Sequence, residues 1–473
     1  MRFLVLLLMV FASMTAFGTV LELTPMEPYQ SGPAIREGLL NSDFRLGFEK
    51  EIGRFVSVPL HYEVADSLQT QIYTFTLKPF DPKLPSMMFF SGGPGQNSHG
   101  QGALSRALPG WNVIFFDQRG TGFSKPDTFL ILKSRAYTSS ETVARDADEV
   151  RKSYGIDKIS VYGHSYGTVP ATIYGNKFAK NTRAVVLEGV VSKGGRELWA
   201  APFRLALLRK AWDEFSPELR AKVIEVSKNP DLPKTWFHDV ARSLMYEDNF
   251  ETALRTFLEQ ALSDDEPLIY LSRYSDQSFY YNDSFLFGAF TFGHIACREL
   301  GMTDEGSTWE FVFNDGEFTP VQNHLRAGLC GALGWMTEQT QPYNSKLYPL
   351  RVPVTYFQGH TDGATTAPGA LEHFQETARG SAQLYLARRG GHSPMNRLFP
   401  ESPGGERLRD AAIQVFEAGL RGQMILKNNW ITFVNDNTEM REWRQYIKIV
   451  PAGLLAPPLR YGRQLIPSPE PLQ

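Results

Sequence analysis

The feature that most constrains the fold is a series of short apolar runs that each end in a glycine-containing loop. Such runs are typical of strands buried on both faces of a parallel sheet. Residues 139–155 between two of them have a helical pattern, with Ser139 or Ser140 as the N-cap and Gly155 as the stop. Strands that alternate with helices predict an α/β fold with a mostly parallel central sheet. The runs are PSMMFF (85–90), WNVIFF (111–116), KISVYG (158–163), RAVVLEG (183–189), VPVTYFQG (352–359) and AQLYLARRG (382–390).

Two further strands are predicted before this series, and a long segment without the strand signal interrupts it. Residues 53–64 and 70–80 alternate well enough to pair as an antiparallel hairpin at a sheet edge. Residues 195–349, here called the inserted segment, are aromatic and helical in pattern and are predicted to form a helical lid. The core is therefore expected from residues 19–194 and 350–473, with an extended, proline-rich tail from about residue 451.

The first residues have the pattern of an export signal. One Arg precedes an apolar run, and Ala16 and Gly18 occupy positions typical of a signal-peptidase site. A membrane anchor is the alternative, but the run is shorter than the roughly 20 residues that span a bilayer. Residues 1–18 are therefore predicted to be a cleaved signal peptide. The mature protein is expected in the periplasm or the medium, without a stable membrane anchor.

The net charge and the cysteine content of the chain argue against nucleic-acid binding and against a metal site. A net charge of -3 and a pI near 6.3 give no basic footprint for nucleic acid. Cys297 and Cys330 are the only cysteines. In an exported protein two cysteines favour a disulfide over a metal site, which would need more ligands at closer spacing; two buried free thiols are the alternative. No metal or organic cofactor is expected, and the sequence does not specify the oligomeric state.

The stretch VYGHSYGTV, residues 161–169, places Ser165 between two glycines. The pattern G-x-S-x-G is common by chance, but here a predicted strand precedes it and a predicted helix follows it. This context is typical of a nucleophile elbow, in which a sharp turn exposes the serine hydroxyl at the edge of the sheet. The sequence therefore predicts Ser165 as a nucleophile, provided that a base and an acid lie nearby.

Two later loops supply such partners. Asp362 follows the strand VPVTYFQG, and His392 follows the strand AQLYLARRG. The chain order Ser, Asp, His, with each residue after a strand, is the order in α/β-hydrolases. His392 would accept the proton of Ser165, and Asp362 would hold the imidazole in the required tautomer. His360 is the alternative base, whereas His164 is expected to pack or bond locally.

An oxyanion hole is predicted beside this triad. It requires two backbone N–H groups that point at the developing negative charge. Tyr166, directly after the nucleophile, would supply one of them. The loop SGGPGQNS, residues 91–98, would supply the other, with Gly93 favoured because glycines let the backbone approach a carbonyl closely.

Three motifs together carry a resemblance to a known family. They are GGPG at 92–95, DQRGTGFS at 117–124 and GHSYG at 163–167. The combination resembles the prolyl iminopeptidase and tripeptidyl aminopeptidase family of α/β-hydrolase serine peptidases, over about residues 50–420. The chain has Ser91 where family members often have His before GGPG, so the support of that loop is expected to differ.

The resemblance implies an exopeptidase that acts on peptides with a free N-terminus and takes Pro or apolar residues. A protonated amine removed from water needs acidic partners. Glu188, Asp283 and Glu299 are the candidates for this contact. Asp117 and Arg119 in DQRG are expected to bind each other and neighbouring loops beneath the active site.

Two other functions fit parts of the same evidence. An esterase or lipase would use the same triad on a non-peptide bond, since the fold does not imply the substrate. A catalytically silent binding protein would have no physical reason to keep Ser165, Asp362 and His392 at the correct strand ends. The motifs GGPG and DQRG favour the peptidase over the esterase.

Overall fold

The structure is a computed structural model of the chain. It describes residues 51–124, 137–199, 202–232, 234–263, 285–302, 310–321, 330–331, 334, 342–399, 406–425 and 443–449. The predicted signal peptide, the predicted tail from residue 451 and Asp283 lie outside the described residues.

A mostly parallel sheet organises the molecule. The described strands are β1 (Ile52–Pro59), β2 (Gln69–Thr76), β3 (Ser86–Phe90), β4 (Asn112–Phe116), β5 (Ile159–His164), β6 (Thr182–Glu188), β7 (Glu310–Asn314), β8 (Glu317–Val321), β9 (Val354–Gly359), β10 (Ala382–Ala387) and β11 (Trp443–Lys448). Nine of these described strands form one sheet in the order β1-β2-β4-β3-β5-β6-β9-β10-β11. Neighbours from β4 to β10 run parallel, whereas β1, β2 and β11 pair antiparallel. The predicted α/β fold and the predicted edge hairpin are confirmed.

Helices cover both faces of this sheet. The described helices are α1 (Gly102–Ala107), α2 (Ser140–Ser153), α3 (Thr168–Lys177), α4 (Arg196–Trp199), α5 (Pro202–Asp213), α6 (Pro217–Ser227), α7 (Trp236–Leu244), α8 (Phe250–Ala261), α9 (Phe285–Arg298), α10 (Ala367–Glu376) and α11 (Glu406–Leu420). Alternate residues of β3 enter different apolar clusters, with Met88 and Phe90 on one face and Met87 and Phe89 on the other. Helices α2, α3 and α10 pack on the first face, and α1 and α11 on the second. The strand ends that carry the candidate site therefore project from a layer that is buried on both sides.

The inserted segment has an apolar cluster of its own. Helices α5 to α8 pack around it together with the hairpin β7–β8. The sequence analysis predicted the helical character of this segment but not the hairpin. Asp315 and Gly316 form the turn of the hairpin with φ angles of 52° and 91°, as a tight β-hairpin requires. Asp-Gly between alternating apolar residues is a hairpin signal that the sequence analysis did not use.

The two cysteines of the inserted segment are bonded to each other. Cys297, in the last turn of α9, forms a disulfide with Cys330. The predicted bridge is confirmed. Among the described residues, no helix has both the length and the apolar character needed to cross a bilayer.

A buried ion pair fixes the loop after β4. Arg119 is fully buried and donates to both carboxylate oxygens of Asp146 in α2, at 2.6 and 2.7 Å. Its other N–H groups donate to the carbonyls of Pro59, Leu60 and Tyr137. All five guanidinium donors are thus used, which joins β1, the β4 loop and α2 at one point.

We expect Arg119→Ala to lower the free energy of unfolding by about 3–5 kcal/mol, because Asp146 would stay buried without its cation. The matched control is Arg145→Ala, which removes pairs near the surface with Glu63 at 2.6 Å and Glu141 at 2.9 Å and should cost less than about 1 kcal/mol. Urea denaturation followed by circular dichroism measures both. Equal losses for the two variants would contradict the importance assigned to the buried pair.

Candidate active site

Ser165 lies at a sharp turn between β5 and α3. Its φ angle is +56°, in the left-handed region that a residue with a side chain rarely adopts. Residues 165–167 form a single 3-10 turn, and the Thr168 hydroxyl donates to the Ser165 carbonyl at 2.7 Å. A strained residue between a buried strand and a helix is the geometry of a nucleophile elbow.

Two glycines allow this turn to pack against its surroundings. A Cβ on Gly163 would lie 2.5 Å from the carbonyl oxygen of Gly167, and a Cβ on Gly167 would lie 2.8 Å from that of Ser91. Neither spacing is possible for a real side chain. The elbow therefore packs directly on the end of β3, and this contact places the loop that begins at Ser91 beside Ser165.

Asp362 and His392 form the pair that the sequence predicts. His392 Nδ1 lies 2.9 Å from Asp362 Oδ2, and both side chains are buried. The other acceptor sites of the carboxylate are also used. Asp362 Oδ1 accepts from the N–H groups of Ala364 and Thr365, and Oδ2 accepts from Gln358 Nε2 and the Thr365 hydroxyl.

These donors keep Asp362 charged. Burial alone would raise the pKa of its carboxyl, but the adjacent His392 and the hydrogen bonds from Thr365 hold the pKa below its ordinary value. An ionised Asp362 requires a proton on His392 Nδ1. The sequence analysis did not predict Gln358 and Thr365, because their role depends on contacts around the loop and no local motif marks it.

The second ring nitrogen of His392 is the one available for proton transfer. Within the described residues, Nε2 is buried and has no hydrogen-bond partner. The His392 ring centroid lies 5.1 Å from that of His164, which directly precedes Ser165. The structure thus brings the predicted base to the elbow with Nδ1 on the acid and Nε2 unpaired.

The other two histidines considered from sequence have different surroundings. His164 Nε2 bonds the Ser393 hydroxyl at 2.7 Å. Burial, reinforced by the nearby His392, lowers the pKa of His164 to about 3, so it is neutral at pH 7. His360 makes an edge contact with Phe203, and burial lowers its pKa as well. Asp362 pairs with His392 rather than with His360.

The loop predicted to supply the oxyanion hole adjoins Ser165. A Cβ on Gly92 would lie 3.0 Å from the Ser165 Cβ, and Gly93 follows with a φ angle of +109°. Tyr166, the other predicted contributor, is buried behind the elbow. The Ser91 hydroxyl donates to the Gln96 carbonyl at 2.9 Å and bonds Gln118 Nε2. Ser91 and Gln118 together support the loop, while the roles of Gly93 and Tyr166 stay predictions.

Asp117 binds this loop but does not bind Arg119, so that part of the expectation is wrong. Asp117 Oδ1 accepts from the Ser98 N–H at 3.0 Å, and Oδ2 accepts from the Phe123 N–H at 2.8 Å. His99 lies between two carboxylates, 3.0 Å from Asp117 and 2.7 Å from Glu51. The loops 91–98 and 117–124 are therefore joined through one buried carboxylate.

Two of the three acids proposed for the substrate amine, Glu188 and Glu299, have other partners. Glu188 is fully buried; it accepts from the Tyr162 hydroxyl at 2.6 Å and from the N–H groups of Met395 and Asn396. Burial raises the pKa of Glu188. Glu299 accepts from the N–H of Ser140 at the start of α2. The structure thus places Glu188 beneath the loop that carries His392, which does not support contact with a substrate.

A family model matches most of the chain and supports the fold. Residues 85–395 match the family described as the alpha/beta hydrolase fold. This range contains Ser165, Asp362 and His392 as well as the inserted segment.

Two kinds of curated protein are similar to parts of the chain. The proline iminopeptidase of Aeromonas sobria is 30% identical over 160 residues, which cover 30% of this chain and 38% of that protein. The serine protease Hip1 of Mycobacterium tuberculosis (strain ATCC 25618 / H37Rv) is 38% identical over 56 residues, which cover 12% of this chain and 11% of that protein. The chain therefore spans less than two thirds of the length of either relative.

Solved structures align over more of the chain but at low similarity. The proline iminopeptidase-related protein from Thermus thermophilus is 17% identical, with a TM-score of 0.38, and the alignment covers 79% of this chain and 99% of that chain. A structural similarity with so low a TM-score does not support a conclusion about function.

We expect Asp362→Asn to lower kcat by about 10⁴-fold, because an amide donor facing Nδ1 would favour the wrong tautomer of His392. Asp410→Asn, at an exposed position of α11, is the matched control and should keep full activity. Steady-state kinetics on the best available substrate, with circular dichroism to confirm folding, provides the measurement. A folded Asp362→Asn variant with near-native kcat would contradict the assigned role.

The cluster around His99 predicts a pH-dependent contribution to stability. Burial alone would lower the pKa of His99, but Asp117 and Glu51 raise it from 6.5 to about 10. Because the folded-state pKa is the higher one, the contribution is complete below about pH 6.5 and is lost as the pH rises through about 10.

The difference in free energy of unfolding between wild type and His99→Gln tests this. It should be largest near pH 6 and shrink toward pH 10, as measured by urea denaturation at each pH. A difference that stays constant over this range would show that His99 is not charged in the folded protein.

Proposed function

We propose that this chain, which belongs to the α/β-hydrolase family and is a hydrolase, is a serine exopeptidase. The observation that carries the serine-hydrolase part of this proposal is the pairing of His392 with the buried Asp362 beside the strained Ser165. This arrangement contains a nucleophile, a base with one ring nitrogen unpaired, and an acid that fixes the base.

The residues perform the reaction in two halves. His392 Nε2 takes the proton from the Ser165 hydroxyl as its oxygen attacks the scissile carbonyl, and Asp362 stabilises the imidazolium that forms. The same proton then passes to the leaving amine, so that the C–N bond breaks and an acyl-enzyme remains. Water repeats the sequence with His392 as base, which releases the acid product and restores the serine. The loop at Gly92 and Gly93 would bind the oxyanion together with the N–H of Tyr166.

The proposed substrates are peptides with a free N-terminus, from which Pro, apolar residues or short peptides are released. The partial similarity to proline iminopeptidase supports this class. The GGPG and DQRG motifs belong to loops that Asp117 joins beside the elbow. Since Glu188 and Glu299 bind backbone N–H groups, we propose that acceptors for the substrate amine come from elsewhere in the inserted segment, with Asp283 the remaining candidate.

We also propose that the protein is exported. The N-terminal sequence has the pattern of a signal peptide, and the disulfide Cys297–Cys330 suits an oxidising compartment. This part of the proposal concerns location alone and does not affect the chemistry.

The substrate class is tested with paired substrates on purified protein. We expect cleavage of free-amine prolyl-, alanyl- or tripeptidyl-anilides, and at least about 10²-fold slower cleavage of their N-acylated forms, because blocking removes the charged amine that the site must bind. Chromogenic release of the anilide gives kcat/KM for each member of a pair.

Ser165→Ala is the control for the nucleophile and should lose several orders of magnitude in kcat. Hydrolysis of a short-chain ester without cleavage of any anilide would overturn the peptidase proposal and favour an esterase. Equal cleavage of free and blocked anilides would show that the amine is not recognised.

A further inference from the structure

One short connection of the inserted segment contacts the loops of both Asp362 and His392. Residues 245–249, here called the α7–α8 connector, join the two helices after which it is named. The last of them, Asn249, has a φ angle of +54° and is the N-cap residue of α8. The segment expected to be a lid thus has a part that lies against the acid and the base.

On the acid side, the connector and α5 both bind the backbone just after Asp362. The N–H of Gly363 donates to the Met245 carbonyl at 3.1 Å. The buried guanidinium of Arg204, in α5, donates to the carbonyls of Gly363 and Ala364. A Cβ on Gly363 would lie 2.6 Å from the Met245 Cβ, so a glycine is needed for this approach.

On the base side, the connector binds His392 and two of the three residues before it. The His392 N–H donates to the Tyr246 carbonyl at 3.0 Å, and the Gly391 N–H donates to Asp248 Oδ1 at 2.7 Å. In the same region the Asn249 N–H donates a hydrogen bond to the Arg389 carbonyl at 2.8 Å. The Tyr246 ring meets the His392 ring edge-on at 5.0 Å.

We propose that Asp248 is a positioning residue for His392, which makes the inserted segment a structural part of the acid–base pair. The inference rests on the proposed serine nucleophile. A carboxylate that accepts from a backbone N–H forms one of the stronger hydrogen bonds in proteins. This bond acts one residue before His392, where a displacement of the backbone moves the ring directly. Errors of about 1 Å in such a group can cost about 10²-fold in rate.

Asp248 differs in this respect from its neighbour in the connector. Glu247 is exposed and pairs with the half-buried Arg397 at 2.7 Å, a contact near the surface of small energetic value. The side chain of Asp248 is half-buried and bonds the main chain of the histidine loop itself. Asp248 is therefore a connector side chain that holds the backbone next to His392 by a hydrogen bond, and its loss should change the position of His392.

The test uses a fluorophosphonate, which needs the nucleophile and base but no recognition of a peptide. The Ser165 oxygen bonds to phosphorus, fluoride leaves, and His392 takes the hydroxyl proton. The rate of labelling is measured for wild type, Ser165→Ala, Asp248→Ala and Asp248→Asn on the full chain, with mass spectrometry to locate the label. Glu259→Ala, at an exposed position of α8, is the matched control.

We expect Asp248→Ala to be labelled about 10²-fold more slowly than wild type, mainly through the maximal rate rather than the affinity for the probe. Asp248→Asn keeps an acceptor oxygen and should recover to within about 10-fold of wild type. Glu259→Ala should match wild type. Asp248→Gln, which keeps polar bulk but displaces the acceptor, should be slow and replaces Asp248→Ala if that variant does not fold.

The outcomes separate this inference from the proposed function. Absence of label at Ser165 in wild type would refute the serine nucleophile. Labelling of wild type and of folded Asp248→Ala at equal rates would overturn the positioning role while the nucleophile stands. Equal slowing in Asp248→Asn and Asp248→Ala would also overturn it, because the acceptor oxygen would then not be the group that matters.

Discussion

The buried negative charge of Asp362 is the constraint on which the arrangement of the site depends. A carboxylate without water is stable only when its oxygens are well supplied with donors. Here the donors come from β9 through Gln358, from the turn through Ala364 and Thr365, and from His392. The hydrogen bonds to this one carboxylate therefore fix both the conformation of the loop that carries Asp362 and the orientation of the His392 imidazole. The Gln358 side chain also accepts from the Val190 N–H, which extends the constraint to the loop after β6.

Carboxylates that accept from loop N–H groups recur around the site. Asp117 binds the N–H groups of Ser98 and Phe123, and Glu188 binds those of Met395 and Asn396. Asp248, Asp362 and Glu299 act in the same way on other loops or helix ends. Loops at strand ends lack the hydrogen bonds of a sheet, so their backbone donors need acceptors from side chains. These acidic residues thus stabilise loops and helix ends by accepting hydrogen bonds from backbone N–H groups. The number of acids near the active site is therefore a poor guide to which residues bind the substrate.

The sequence was sufficient for the parts of the fold that depend on local pattern. Uninterrupted apolar runs predicted the positions of the parallel strands. Ser139, one of the two residues predicted as the N-cap of α2, is the N-cap in the structure. The positions of Asp362 and His392 followed from chain order and strand ends. The edge strand β11 was not predicted, because WRQYIK lacks the uninterrupted apolar run that marks the core strands.

The contacts of buried charges could not be predicted in the same way. Arg119 was expected beside Asp117, only two residues away, but its partner is Asp146 on α2. Glu188 bonds an N–H group 207 residues further along the chain. Sequence proximity suggests partners for such groups, whereas the tertiary fold determines them.

The antiparallel strand β11 has a consequence for solubility. It pairs with β10 over six residues, from Ala382 opposite Lys448 to Ala387 opposite Trp443, and all six residues of β10 are buried. Without β11, that apolar strand would present an unpaired row of N–H and C=O groups to the solvent, as a template for other chains. Residues 443–448 therefore replace that buried apolar strand at the sheet edge with one that carries Arg444, Gln445 and Lys448, and charged side chains on an edge strand disfavour edge-to-edge association.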